Sequence, residues 1–268
     1  MRGGRLLLLI LSIVISSCNR NNNDANHVLS EASSIMEQNH EMAYNLLDSL
    51  DQVDMTRRQF ARYCLLKSIA LDKMYIDLTT DSLIIPAVKY YVHHGSYDEK
   101  LKTAFYHARI MENRQEKDSS LNVLLNAEKY ADKATDHLFV GRYYVKISQL
   151  YQNRFEFEKA LKAVLCAERH SQEVDDYRGL ATAFLTASSL YYVLHQKDKA
   201  EDYLKRILPI WSNINDYRKG EYYRLLLTYA LEDNSPKVDS IYNSATLNIN
   251  GYTPADEFVT TNGTVNLQ

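Results

Sequence analysis

Glycine, proline and tryptophan are scarce in this chain. Its 268 residues include 8 Gly, 4 Pro and 1 Trp. Few tight turns are available to separate strands, and runs of alternating apolar and polar residues are also rare. Both facts indicate an all-α chain, and the length suggests one or two domains.

A basic excess and a long apolar run are missing as well. The formal net charge is -3 at pH 7, which argues against nucleic acid as the main partner. After the N-terminal segment, no stretch is apolar enough for long enough to span a bilayer.

Catalytic and metal-binding motifs are also lacking. The sequence has no HExxH, no Gly-rich phosphate loop, no CxxC and no nucleophile elbow. The adjacent His93 and His94 do not share a helix face, so a metal would need ligands from elsewhere. Carboxylates occur at helical intervals, which suits a solvated face better than an acid–base pair. We expect no enzymatic activity, no metal and no cofactor.

The first residues, MRGGRLLLLILSIVISSC, have the pattern of an export signal. Arg2 and Arg5 precede an apolar run of about ten residues, Leu6 to Ile15, which is too short for a membrane helix. One interpretation is an ordinary signal peptide followed by a chance cysteine. The residues before that cysteine favour a more specific one, a lipoprotein signal.

The end of this signal resembles the lipobox of bacterial lipoproteins, because Ile15 and two serines precede Cys18. The resemblance implies that residues 1–17 are removed and that the Cys18 thiol carries diacylglycerol. The family's usual inner-membrane retention signal is an Asp after the cysteine, so Asn19 favours the outer membrane, facing the periplasm. Residues 18–27 lack a large apolar side chain that could pack, and they predict a flexible tether.

Residue classes recur every forty positions between residues 61 and 220, without insertion or deletion. A fixed period of this length indicates stacked structural units. Within a unit the apolar stripes advance by three or four residues, which predicts a hairpin of two amphipathic helices, A and B. The recurring helix A positions are Ser68, Ala108, Ser148 and Ser188 (small) and Leu71, Met111, Tyr151 and Tyr191 (large). The recurring helix B positions are Thr80, Ser120, Ala160 and Ala200, then Ile84, Leu124, Val164 and Leu204, then Ala87, Ala127, Ala167 and Ile207.

This pattern resembles the tetratricopeptide repeat. The family's helix A and helix B positions are occupied by Ile147-Ser148, Tyr151, Ala160, Val164 and Ala167. The resemblance implies an all-α, right-handed superhelical solenoid. The period departs from the family, since it is forty residues against about 34, and the proline that usually ends helix B is missing. The resemblance is weaker over 61–100, where Thr80 replaces the small helix B residue, and Ile207 replaces the last alanine in 181–220.

The period also predicts the boundaries of the domains. We expect an N-terminal helical cap or incomplete repeat over residues 28–60, with Ala43, Leu47 and Leu50 on its apolar stripe. The tail, residues 248–268, is rich in Asn and Thr and predicts disorder or the remnant of a longer chain. The predicted repeats are 61–100, 101–140, 141–180, 181–220 and a degenerate 221–247.

The phrase Asp-Tyr-Arg occurs twice, forty residues apart. Asp176 and Asp216 are predicted to lie just before successive A helices, where a carboxylate can accept from amides of the first turn. A binding loop is the alternative. Cys64 and Cys166 lie two repeats apart, so we expect two buried free thiols and no disulfide between them.

A repeat solenoid offers a concave groove to a peptide or protein. In the tetratricopeptide family, helix A residues beside the core stripe line that groove. Arg and Lys can bind a carboxylate there, and Asn can pair with a peptide backbone. The alternative is that such residues form a solvated surface. The candidate partner-binding residues are Arg62, Lys102 and Arg142 in one register, with Arg109, Asn113 and Asn153.

Two functions are compatible with these features. The first is a lipid-anchored scaffold of the cell envelope that binds a peptide or protein through its groove. The second is the truncated or split sensor part of a regulator, since some bacterial proteins with a similar start and similar repeats continue into a helix-turn-helix DNA-binding domain. Under either hypothesis this chain itself is not expected to bind nucleic acid.

Overall fold

The structure is a computed structural model that describes residues 24–53 and 55–248. The chain divides into two compact units, residues 1–135 and residues 136–268. The predicted signal peptide, Cys18 and the tail from residue 249 lie outside the described residues.

The first unit contains six helices in its described part. Helix α2 packs on α3, α3 packs on α4 and α5, and α5 packs on α6. These helices are α1 (24–35), α2 (His40–Asp48), α3 (Arg57–Lys73), α4 (Ile85–Tyr91), α5 (Tyr97–Asn113) and α6 (Lys117–Ala131).

The second unit continues the same alternation of A and B helices. Helix α7 packs on α8 and α9, α9 packs on α8, α10 and α11, and α11 packs on α12. The elements are α7 (His137–Gln152), α8 (Phe157–Gln172), α9 (Tyr177–Val193), α10 (Lys197–Lys205), a 3₁₀ helix (Leu208–Asn213), α11 (Asp216–Glu232) and α12 (Val238–Asn248).

The forty-residue period of the sequence is the spacing between the first residues of successive A helices. Helices α3, α5, α7 and α9 begin at residues 57, 97, 137 and 177, and α11 begins at residue 216. Every regular element within 24–53 and 55–248 is helical, so the all-α prediction is confirmed and agrees with an all-α solenoid.

Small residues lie where A and B helices meet. Ala108 and Ser188 on A helices are 0% exposed, as are Ala160 and Ala200 on B helices. The Ser188 hydroxyl donates to the Ala200 carbonyl oxygen at 2.7 Å, which joins α9 directly to α10. A larger side chain at Ser188 or Ala200 would push α9 and α10 apart, because a packed interior has few voids.

The first full repeat departs from the pattern, as its sequence does. Thr80 is exposed and lies in the loop between α3 and α4, whereas its counterparts Ser120 and Ala160 are buried. Helix α4 begins only at Ile85, with Pro86 in its first turn. Proline is well suited to that position because its missing N–H would have no helical partner there. Position 80 therefore precedes the helix.

The turns from A to B helices share one geometry that requires a left-handed residue. In the turn after α7, the Glu156 amide donates to the Tyr151 carbonyl at 3.0 Å, and Phe155 between them has a φ of 57°. This is the Schellman arrangement, which usually places glycine at the left-handed position. The five equivalent left-handed residues are Tyr75, Gln115, Phe155, His195 and Asn234. The scarcity of glycine therefore does not prevent these turns.

The residues before the A helices match the capping prediction only in part. Asp136 caps α7, since its carboxylate accepts from the Phe139 amide at 3.1 Å. Asp176 occupies the N-cap position of α9 without a capping hydrogen bond. A Cβ at position 179 would collide with the Asp176 carboxylate, so Gly179 leaves room for that carboxylate. The prediction is wrong for Asp216, which is already helical because Asn215 caps α11.

The predicted N-terminal cap contains two helices with buried apolar residues. Ala43 and Leu47 are 0% exposed, as the sequence predicts. Leu50 differs, because it follows the end of α2 at Asp48 and is only half-buried. Helix is already present at residue 24, inside the predicted tether over 18–27. Burial of Leu29 and Ala32 explains this difference, because it stabilises a helix that extends one further turn toward the N-terminus.

Both described cysteines are free, as predicted. Cys64 is buried, and burial raises the pKa of its thiol to about 11, although the charge of Lys67 opposes the shift. Cys166 is only half-buried, on α8. Within the described ranges, no helix has both the length and the apolarity needed to cross a bilayer.

Candidate functional site

Two of the predicted partner-binding residues hold the first unit together. The Arg109 Nε donates to the Asp72 carboxylate at 2.9 Å. Burial alone would lower the pKa of Arg109, but the charge of Asp72 and the hydrogen bond to it outweigh burial and raise that pKa. The Asn113 amide donates to the Leu78 carbonyl at 3.1 Å. Both side chains therefore tie α5 to the preceding repeat, and their contact with a partner stays a prediction.

The remaining predicted residues lie on A helices with different surroundings. The Arg62 guanidinium donates to the Ser30 hydroxyl at 3.2 Å. Lys102 on α5 and Arg142 on α7 are half-buried, and each already takes part in interactions of the fold. Asn153 is exposed and is the C-cap residue of α7. Arg62 and Lys102 share one unit and occupy the same register of neighbouring A helices.

The second unit contains a pair of basic residues that belong to the binding-loop alternative for the Asp-Tyr-Arg phrases and not to the predicted groove register. They are Arg178 and Arg218, the arginines of the two Asp-Tyr-Arg phrases. The Arg218 Nε donates to the Arg178 carbonyl at 3.2 Å, and its Nη2 donates to the Thr182 hydroxyl at 2.9 Å. Thr182 stands forty residues after Arg142, so the pair adjoins the predicted basic register.

The charge of this pair is not compensated. All acceptors of the Arg218 guanidinium are neutral: the Arg178 carbonyl, the Thr182 hydroxyl and the Asn215 side-chain oxygen. Among the described residues, no carboxylate forms an ion pair with either guanidinium. Burial and then the Arg178 charge lower the pKa of Arg218, although Tyr217 and Asp176 oppose the shift. The site therefore holds a half-buried cation beside a second, exposed one.

Arg206 in the same unit differs from Arg218, because carboxylates of the fold compensate its charge. Its guanidinium contacts the Asp202 carboxylate at 2.9 Å and the buried Glu168 at 3.2 Å. Burial alone would lower the pKa of Arg206, but the hydrogen bond to Asp202 and nearby negative groups raise it. The difference between the two arginines is the carboxylate, which Arg206 has within the fold and Arg218 lacks.

The adjacent histidines His93 and His94 and the scattered carboxylates are the other candidates for chemistry in the sequence. His94, whose Nδ1 lies 3.0 Å from the Tyr90 carbonyl, stacks on the Tyr90 ring. Among the described residues, no group of three or more His, Cys, Asp or Glu side chains is placed to hold a metal ion.

No protein-family model and no curated protein matches this sequence. Among solved structures, the chain is similar to the crystal structure of BtubC (BKLC) from P. vanneervenii. The two share 16% sequence identity with a TM-score of 0.57, over 91% of this chain and 96% of that chain. At this identity the similarity concerns the fold alone, and it agrees with a helical repeat-like array.

Proposed function

We propose that this chain is a tetratricopeptide-type scaffold, anchored to the bacterial cell envelope through a lipid on Cys18, that holds an acidic peptide or protein. The observation that carries the proposal is the uncompensated pair of Arg178 and Arg218 on the A-helix side of the second unit. Within the described residues, all acceptors of Arg218 are neutral.

A carboxylate is the ligand that this pair favours. Arginine presents a planar fork that can bind a carboxylate through two parallel hydrogen bonds. Burial weakens the hydration of the Arg218 cation, so a partner carboxylate would replace interactions with water that the fold has already reduced. The lowered pKa of Arg218 has the same origin. An acidic side chain or a peptide C-terminus would relieve this unfavourable charge.

The assignment to the tetratricopeptide class rests on the buried small residues. Ser148, Ala160 and Ala167 occupy the family's positions and are 1% exposed or less. The forty-residue period remains a departure. The lipid anchor rests on the sequence around Cys18, which lies outside the described residues, and the envelope location follows from that anchor.

Removal of the two charges tests partner binding. The protein is recovered from its own envelope with its bound partner, as wild type, as Arg178→Gln/Arg218→Gln and as a control. A hydrogen bond to a charged group contributes about 1.5–3 kcal/mol, so we expect about 10–100-fold weaker binding for the site variant. Salt should weaken the wild-type complex, because exposed charges are screened.

The matched control is Lys205→Gln/Arg224→Gln. It removes two positive charges from the same unit, at side chains that are 70% and 46% exposed. We expect the control to bind like the wild type. Equal partner recovery by the folded site variant and the control would contradict the proposal. Lys102 and Arg142 stay predicted contacts, and Lys102→Glu/Arg142→Glu tests them in the same assay.

A further inference from the structure

The last described helical hairpin borders an open aromatic groove with a volume of about 460 Å³. Three elements form it: the 3₁₀ helix, α11 and α12. Its lining includes Leu208, Trp211, Tyr222, Leu226, Ile241 and Ser244. The Trp211 ring meets the Tyr222 ring edge-on, with centroids 5.2 Å apart. Pockets of this size with aromatic walls and a few hydroxyls are typical of ligand sites.

This groove is poorly covered by the rest of the described chain. Ala245 is the one buried residue among the described side chains of α12, at 0% exposure. Leu208 on the groove wall is 53% exposed, and Leu247 near the end of α12 is 85% exposed. The preceding hairpin differs, because α11 packs against α9. An apolar face that the neighbouring elements leave open to water is a site for a further packing element.

We propose that the segment following α12, residues 249–268, binds in this groove through Tyr252 and Phe258. The sequence predicts no helix for this segment. Binding in the groove does not require a helix, because a short extended stretch can place two aromatic side chains there. The inference is independent of the proposed partner site, which lies at Arg178 and Arg218.

The length of the connection allows this binding. Ser240 and Ser244 line the groove and lie eight and four residues before Asn248 on α12, which is about 12 and 6 Å along a helix. An extended chain advances about 3.3 Å per residue, so Tyr252 can reach about 13 Å and Phe258 about 33 Å from Asn248. Asn250-Gly251 directly after the helix is a sequence favoured at chain reversals.

Charge also favours this occupant. The charged residues of the segment 249–268 are Asp256 and Glu257, so its side chains carry a charge of -2. The groove is flanked by Lys219, whose Nζ lies 5.8 Å from the centroid of the Trp211 ring and 3.3 Å from the Asp216 carboxylate, so this lysine is shared with a residue of the fold. The exposed Lys237 immediately precedes α12. The acidic pair immediately precedes Phe258, within reach of the exposed Lys237 when the ring enters the groove.

Trp211 provides a direct test, because it is the only tryptophan of the chain. Its emission and its quenching by acrylamide are compared in the full chain, in a chain ending at Asn248 and in full-length Tyr252→Ser/Phe258→Ser. We expect both variants to shift the emission to longer wavelength and to raise the quenching constant. A synthetic peptide of residues 249–268 should reverse both changes saturably in the shortened chain, whereas a scrambled peptide should not.

Three results would overturn the inference. One is equal quenching of Trp211 in the full chain and in the full-length double variant, which keeps its C-terminal segment and does not depend on the folding of a shortened chain. Another is a failure of the peptide to protect Trp211 in a shortened chain whose circular dichroism is helical. The third is protection that depends on protein concentration, which would assign the groove to a second copy.

Discussion

Replacement of Tyr75 by glycine should stabilise the protein, although glycine usually weakens a helical structure. Tyr75 has a φ of 58° at the turn after α3, where the Ile76 amide donates to the Leu71 carbonyl at 2.9 Å. A left-handed conformation costs a residue with a Cβ about 1–2 kcal/mol. The side chain is 93% exposed, so its removal sacrifices almost no packing.

The magnitude follows from two opposing effects. Glycine relieves the left-handed conformation but adds about 0.5–1 kcal/mol of backbone entropy cost. We therefore expect Tyr75→Gly to raise the free energy of unfolding by up to about 1.5 kcal/mol. Tyr75→Ala is the matched variant, because it loses the same ring but keeps the Cβ. The glycine variant should exceed the alanine variant by about 1 kcal/mol in urea unfolding.

A control position inside a helix of the same unit should give the opposite order of stability for the glycine and alanine variants. Asn122 is exposed within α6. There glycine should be less stable than alanine by about 0.8–1.0 kcal/mol, the usual difference in a helix interior. An alanine variant at Tyr75 that equals or exceeds the glycine variant would refute the strain argument, provided that Asn122 behaves as expected.

Three further predictions concern the core, the pH dependence and the anchor. Ala160→Leu should destabilise by about 1–3 kcal/mol through overpacking; a change below about 0.5 kcal/mol would show that A and B helices do not meet there. Burial lowers the pKa of His107, against the opposing charge of Asp81, so the unfolded chain binds its proton more readily. Stability should fall as the pH falls below about 6.5, and His107→Phe should flatten this decline in urea titrations. Cys18→Ala should abolish fatty-acid labelling and membrane retention; an unlabelled wild type would reject the anchor.

The core positions were accessible from the sequence because packing is local and periodic. Ser188 and Ala200 must be small wherever an A helix meets a B helix, and the forty-residue step exposes that requirement. No recurring residue class in the sequence marks the left-handed turn positions. Tyr75, Gln115 and Phe155 share neither size nor polarity, since the turn constrains their backbone and leaves their side chains in solvent.

The candidate site was less accessible, because the availability of a charge depends on residues distant in sequence. Arg109 resembles a groove residue until Asp72, 37 positions earlier, is found beside its guanidinium. Arg218 has the reverse property. Its Asp-Tyr-Arg context suggests a nearby acidic partner, yet its hydrogen-bond acceptors among the described residues are neutral. Sequence spacing identifies which arginines share a helix face, and only tertiary contacts distinguish paired cations from available ones.

The buried thiol of Cys64 has a consequence for chemical labelling. A pKa of about 11 places it four units above neutral pH, so about one molecule in 10⁴ carries the reactive thiolate there. Burial also obstructs any reagent. Cys166 is half-buried and lies 3.6 Å from the Arg169 guanidinium. Brief exposure to a maleimide at neutral pH should therefore modify Cys166 before Cys64. In protein whose Cys18 thiol carries the proposed lipid, or in Cys18→Ala, a probe can then be attached to the second unit while the Cys64 thiol stays unmodified and needs no substitution.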